Sequence, residues 1–247
     1  MARHVVRLGD HFCAENTTLI SHLIGIAGMT VSLDALGAIL ADSRLSEDAA
    51  RAVGRALREL EEQHIGIAEG YRMEGLLTLS ALRMIADDPR LADLDALESP
   101  EDRERAQSFL DSMKDWDALE AEHLYLWTAL VAVIEKPHWE RETIDDAWVE
   151  QRVQNPLLRI AIPNASEAAV RQDHAMTQLR LCMVLCALRV GSADYAGQIM
   201  DPFTGEPLHI ADDRVWSLGP DGADQEGRMR YDPSNGSVSA GDIVAAR

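Results

Sequence analysis

Lysine is nearly missing from this chain: of 23 basic residues only Lys114 and Lys136 are lysines, against 42 Asp and Glu. The formal charge of -19 opposes phosphate backbones and anionic lipid, so no charge-driven nucleic-acid binding is expected and cations are the better partners. Cysteine is scarce too. Cys13, Cys182 and Cys186 form no CxxC, and the last two, four apart, would stack on one helical face in poor geometry for a disulfide. They read as small buried hydrophobes, and the redox compartment stays open.

Signatures of common chemistry are missing as well. No GxSxG nucleophile elbow, no GxxxxGK loop and no GxGxxG between a strand and a helix occurs. The longest uncharged run, Asn16 to Leu33, carries Asn16, Thr17, Thr18, Ser21, His22, Thr30 and Ser32, and reads as too polar for a membrane span. The opening MARHVVRLGDHF has charges where a signal peptide needs an apolar region, so no secretory signal is expected there. Work outside the cytoplasm would then need an export segment upstream of Met1 or another route. What is present, 247 residues of which 47% are hydrophobic, is enough to bury the core of one large or two smaller domains.

The first two hundred residues read as helices. Leu19, Ile20, Leu23, Ile24, Ala27 and Val31, then Ile39 and Leu40, follow helical spacing. Ser46 before Glu47 and Asp48 is an N-cap followed by acids that suit the helix dipole. The stripe Val53, Leu57, Leu60, Ile67, Tyr71 continues toward Leu82 and Ile85 with a break expected near Gly66, and Asp87, Asp88 and Pro89 stop it. Ser99, Pro100, Glu101, Asp102 starts a long helix ending before Pro137, whose apolar second half, Leu124 to Ile134, is expected to be the central buried helix. Asn164, Ala165, Ser166, Glu167 opens a last helix that runs to about Arg189.

From Asp201 glycines and prolines become dense and short alternating runs appear. Pro207 to Ala211 and Arg214 to Leu218 flank Asp212 and Asp213 as a β-hairpin, followed by a Gly- and Asp-rich loop and a strand at Ile243 to Ala245. The expected fold is mainly α: a helical bundle-like body over residues 1–200 and a small β-hairpin/loop module over 201–247. That module holds nine acids and four basic residues, a local charge of -5, so most of the acidic excess lies on the helices.

Hard cations such as Ca2+ take six to eight oxygens from carboxylates and main-chain carbonyls, and Ser217 to Asp224 has that chemistry: Asp221 and Asp224 lie in a curled loop, with Gly219 and Gly222 freeing the backbone. It is not an EF-hand, because DxDxDG and the distal Glu are missing. The ordered string Asp201-Pro202-Phe203, Gly205, Pro207, Val215-Trp216-Ser217-Leu218-Gly219-Pro220-Asp221-Gly222 and Asp242-Ile243 resembles the C-terminal head of type II secretion major pseudopilins, over about the last fifth of the chain. The helical run Asn155-Pro156-Leu157-Leu158 to Leu181-Cys182-Met183, directly before that string, is similar to uncharacterised bacterial proteins carrying the same head.

That resemblance implies a Ca2+ cage with the carboxylates of Asp221 and Asp224 and the carbonyls of Leu218 and Ala223 as ligands, and Asp242 and Ser217 in support. It also implies a secretion or cell-envelope context, with protein partners or self-association and an extracytoplasmic place of work, while the opening residues leave a cytoplasmic one open. The leader and assembly helix of the pseudopilins have no counterpart here, and Arg228 to Gly241 lengthens the loop before Asp242.

A second chemistry competes. Glu61 with His64 and Glu120 with His123 are two ExxH pairs, the spacing that places Glu and His on one helical face in di-iron four-helix bundles. Such an enzyme needs two further carboxylates, which would come from Glu15, Glu69, Glu74 or Glu167. His11 with Cys13 lacks the partners of a zinc site. Trp116, Trp127, Trp139 and Trp148 would cluster in the core if their helices meet.

Overall fold

The structure, a computed structural model, describes residues 18–42, 44–88, 113–155, 164–235 and 239–246, with isolated positions between 99 and 111 and at 158, 159 and 162. His11, Cys13, Glu15 and the helix start at 100–102 lie outside the described residues.

Side-chain caps set most helix starts. Thr18 accepts the Ser21 N–H at the head of α1 (Leu19–Leu40), and Ser46 accepts the Ala49 N–H at the head of α2 (Glu47–Gln63). The expected break falls at Gly66, where α3 (Ile67–Asp87) begins. Asp115 caps α4 (Trp116–Ile134), Asp145 caps α5 (Asp146–Arg152) and Asn164 caps α6 (Ala165–Arg189). The long helix expected from Ser99 is therefore interrupted: residues 113–115 form a turn and Asp115 starts a fresh helix. A short α7 (Ala193–Ala196) leads to the C-terminal module.

The expected hairpin is present. β1 (His209–Ile210) pairs antiparallel with β2 (Arg214–Ser217) across Asp212 and Asp213, and β2 pairs antiparallel with β3 (Ile243–Ala246), with Trp216 opposite Val244 and Ser217 opposite Ile243.

The central helix is α6, not the second half of α4. α6 buries sixteen residues and packs against α1, α2, β2 and β3, whereas α4 buries eight and leaves Leu124 and Tyr125 at 47% and 58% exposure. The second half of α4 is apolar nearly all round, yet α4 is an outer helix resting on α3. Apolar composition states what a helix tolerates; neighbours decide what is covered. Trp116, Trp127 and Trp148 join one core cluster with Tyr71, Leu126 and Leu130, while Trp139 stays half exposed.

The second cluster joins body and module. Met29, Leu33, Leu57, Leu179, Val184 and Cys186 pack with Phe203, Leu208, Val215 and Ile243. Cys182 and Cys186 sit inside it as free buried thiols, and burial pushes the Cys186 thiol up to about 12, so both behave as hydrophobes. α1 is long and apolar enough to cross a membrane by length and composition, although nine of its residues, His22 and Ser32 among them, are buried inside the protein.

Candidate metal centre

Asp201 is the hub from which the module is built. Only 1% exposed, it accepts the Phe203 N–H (2.9 Å) and the Ser217 hydroxyl (2.8 Å) on Oδ1, and the Leu218 N–H (3.2 Å) on Oδ2. One carboxylate thus ties the first loop to the end of β2. Burial raises its pKa above the ordinary carboxylate value, against the opposing pull of those hydrogen bonds. Ser217, expected beside the ion, has Asp201 and the Gly219 N–H (3.0 Å) as its partners.

After β2 the chain curls through Gly219, whose φ of +68° and closeness to the Gly241 carbonyl leave no room for a side chain. The lengthened segment before Asp242 does not carry that residue away. The Tyr231 N–H donates to the Asp242 carbonyl and the Asp242 N–H to the Met229 carbonyl, both at 2.8 Å, which holds Asp242 beside the turn.

Gln225 joins the carboxylates there. Its N–H donates to Asp242 Oδ2 (3.1 Å) and its Nε2 to Asp221 Oδ2 (3.2 Å), while the Gly227 N–H also reaches Asp242 Oδ2 (2.8 Å). Asp221 further accepts the Ala223 N–H (3.1 Å) and the Gly241 N–H (3.3 Å). Asp224 accepts Trp216 Nε1–H (3.1 Å) and the Glu226 N–H (2.7 Å), and the latter first among its contacts holds its carboxyl below the usual range.

Asp242 is fully buried, and burial first, then the charges of Asp224 and Asp221, raise its pKa. The decisive feature is what these groups leave unmet. Asp242 Oδ1 and Gln225 Oε1 are both buried oxygens with no hydrogen-bond donor, and among the described residues no hydrogen bond engages the carbonyls of Leu218 or Ala223. No family model, curated protein or solved structure matches this chain.

Stranding a charged acceptor in the interior costs about 1–3 kcal/mol or more. A proton, a water molecule or a cation would relieve a site made of acceptors, and an oxygen-only ligand set suits a hard cation. The carboxylates do not close into a cage by themselves: among the described residues no group of three or more His, Cys, Asp or Glu is placed to hold a metal. A calcium ion here would draw on carbonyl and amide oxygens beside Asp221, Asp224 and Asp242. Gln225 was invisible in the sequence, since a lone Gln in an Asp-Gly loop carries no signal until the fold turns it inward.

The two ExxH pairs are engaged elsewhere. Glu61 pairs with Arg180 at 2.6 Å, Glu120 accepts Trp116 Nε1–H at 3.1 Å, and His123 Nε2 donates to the Gly75 carbonyl at 2.8 Å inside the first core cluster. His64 is the C-cap of α2. Of the further carboxylates, Glu69 pairs with Arg72 and Glu167 with Arg171.

Proposed function

We propose that this chain is a non-enzymatic structural or interaction protein of a secretion or cell-envelope system whose C-terminal module is locked by Ca2+. The observation that carries this reading is the pair of buried, donor-less oxygens, Asp242 Oδ1 and Gln225 Oε1, beside the carboxylates of Asp221 and Asp224. The motif resemblance supplies the identity of the ion and the biological setting. In this reading the ion contributes folding energy: four of the module's acids sit at the turn or beside it, and neutralising them stabilises one loop geometry. The locked head then presents a fixed surface to a protein partner.

Calcium that binds the folded state alone, at about a hundredfold above its Kd, adds about 2.7 kcal/mol. For a chain of this size that raises Tm by roughly 5–10 °C. Calorimetry in millimolar calcium against EDTA should show this rise, and Asp221→Ala should remove it. Identical melting with and without calcium sinks the proposal, and stoichiometric iron in elemental analysis of the purified protein would replace it with the di-iron reading.

A further inference from the structure

A cavity of about 440 Å³ opens where the start of α3, the end of α4, residues 136–141 and the middle of α6 meet, with Pro202 of the module at its edge. Its volume lies in the range of small-molecule sites. Arg72, Lys136, Arg141 and Arg180 line it, against three acids, Glu69, Glu135 and Asp173. In a chain with 42 acidic and 23 basic residues, that lining reverses the sign of the whole.

Each basic group there keeps a donor that the protein does not use. Arg141 is the most enclosed, with its side chain 9% exposed. Its Nη1 donates to Asp173 Oδ2 (2.6 Å) and its Nη2 to the Lys136 carbonyl (2.9 Å), while its Nε–H is buried with no acceptor. Arg72 uses Nη1 on Glu69 (2.8 Å) and Nη2 on Glu135, and Arg180 uses Nε on Glu61 (2.6 Å) and Nη1 on the Met200 carbonyl (3.0 Å). Arg72 Nε and Arg180 Nη2 are left without an acceptor among the described residues. Lys136 Nζ lies 3.7 Å from its ion-pair partner Glu142, beyond hydrogen-bond range. The acids are the engaged side: Arg72 holds Glu69 and Glu135, and Arg141 with His138 Nδ1 holds Asp173.

α3 begins at the same wall. Gly66, its N-cap, has no side chain to offer the first turn, and Gln172 Oε1 from α6 accepts the Ile67 N–H instead, which leaves Gln172 Nε2 as a further donor. The positive end of a 21-residue helix adds to the local field. We infer that the cavity binds a small oxyanion, a carboxylate or phosphate group, through Arg72, Lys136, Arg180 and Gln172, with Arg141 as the enclosed charge at its wall. A surplus of donors beside acceptors that are already taken selects an anion, and planar guanidinium groups fit the paired oxygens of either group. The chain's charge of -19 governs the far field and turns polyanions away, whereas within a Debye length the lining decides.

Isothermal titration calorimetry of the full chain at low ionic strength, with succinate and inorganic phosphate as separate probes, tests this. EDTA in the buffer keeps the outcome apart from that of the calcium reading. Saturable binding of at least one probe is expected with a Kd below about 1 mM, and the tighter probe names the group. Arg72→Gln, at a half-exposed side chain, should weaken binding about tenfold with the circular dichroism spectrum unchanged. Glu135→Gln should act in the opposite direction, because it removes a carboxylate that competes for Arg72; a gain of about threefold is expected, which a damaged fold would not produce. No saturable binding of either probe up to about 10 mM, binding indifferent to Arg72→Gln, or a Glu135→Gln variant that fails to bind more tightly overturns the inference.

Discussion

Asp201 shows how much one buried carboxylate can organise when its acceptors are all used. Its amide counterpart would turn an N–H toward the Leu218 N–H, so Asp201→Asn is expected to cost about 1–3 kcal/mol in denaturant unfolding. The pH dependence has a defined sign. Because burial raises this group's pKa, the folded state holds the proton more tightly, and its contribution falls as pH rises from the ordinary carboxylate value through the raised one. The stability advantage of wild type over Asp201→Asn should therefore be largest at acid pH and shrink toward neutrality. An advantage that grows over that window would show the hydrogen bonds outweighing burial. Asp221 and Asp224 were legible in the sequence because Asp-Gly turns announce themselves. Gln225 was not, since its role rests on two bonds to residues that the fold alone brings beside it.

Among the elements, the caps at Ser46 and Asn164 were legible, whereas Asp115, inside the long helix expected from Ser99, was not. Thr18, Ser46, Asp115, Asp145 and Asn164 each accept an N–H in the first turn of the helix that follows, a local interaction. Which helix is central was not legible. α4 is the more apolar sequence, but α6 touches both flanking helices and two strands. Leu179→Ala in α6, fully buried, should cost about 2–5 kcal/mol, whereas Leu124→Ala in α4 should change stability by roughly 0.5 kcal/mol or less. Comparable losses from both would return α4 to the centre. The hairpin was legible for the same reason as the caps: alternation and a two-residue turn act over a few residues, and Ala211 N–H closes the turn onto the Arg214 carbonyl at 2.9 Å.

For the whole molecule, the module is part of the core. Phe203, Leu208, Val215 and Ile243 fill the space beside α6, so body and module should unfold together. Val215→Ala, at a position with no exposed surface, should lower the helical melting transition followed by circular dichroism by about 1–3 kcal/mol. Helix signal that persists while the tryptophan signal of Trp216 is lost would separate the two parts. A shared core is also the route by which an ion at the turn would steady the helices: Asp242 precedes Ile243, which is buried against α6.

The sequence by itself determined the helical and strand segments, the caps at Ser46 and Asn164, the hairpin and the acidic turn, because periodicity, capping and turn chemistry act within a few residues. Only the tertiary structure decided that α6 is the axis of the molecule, that Asp242 returns to Gln225 across a fourteen-residue excursion from 228 to 241, and that one stripe of α1 is left bare. Each depends on which distant surfaces meet. The charge shortage that opens the sequence takes its meaning there as well: among the described residues many carboxylates lie on exposed helix positions, and the few that gather at the turn surround acceptors with no donor.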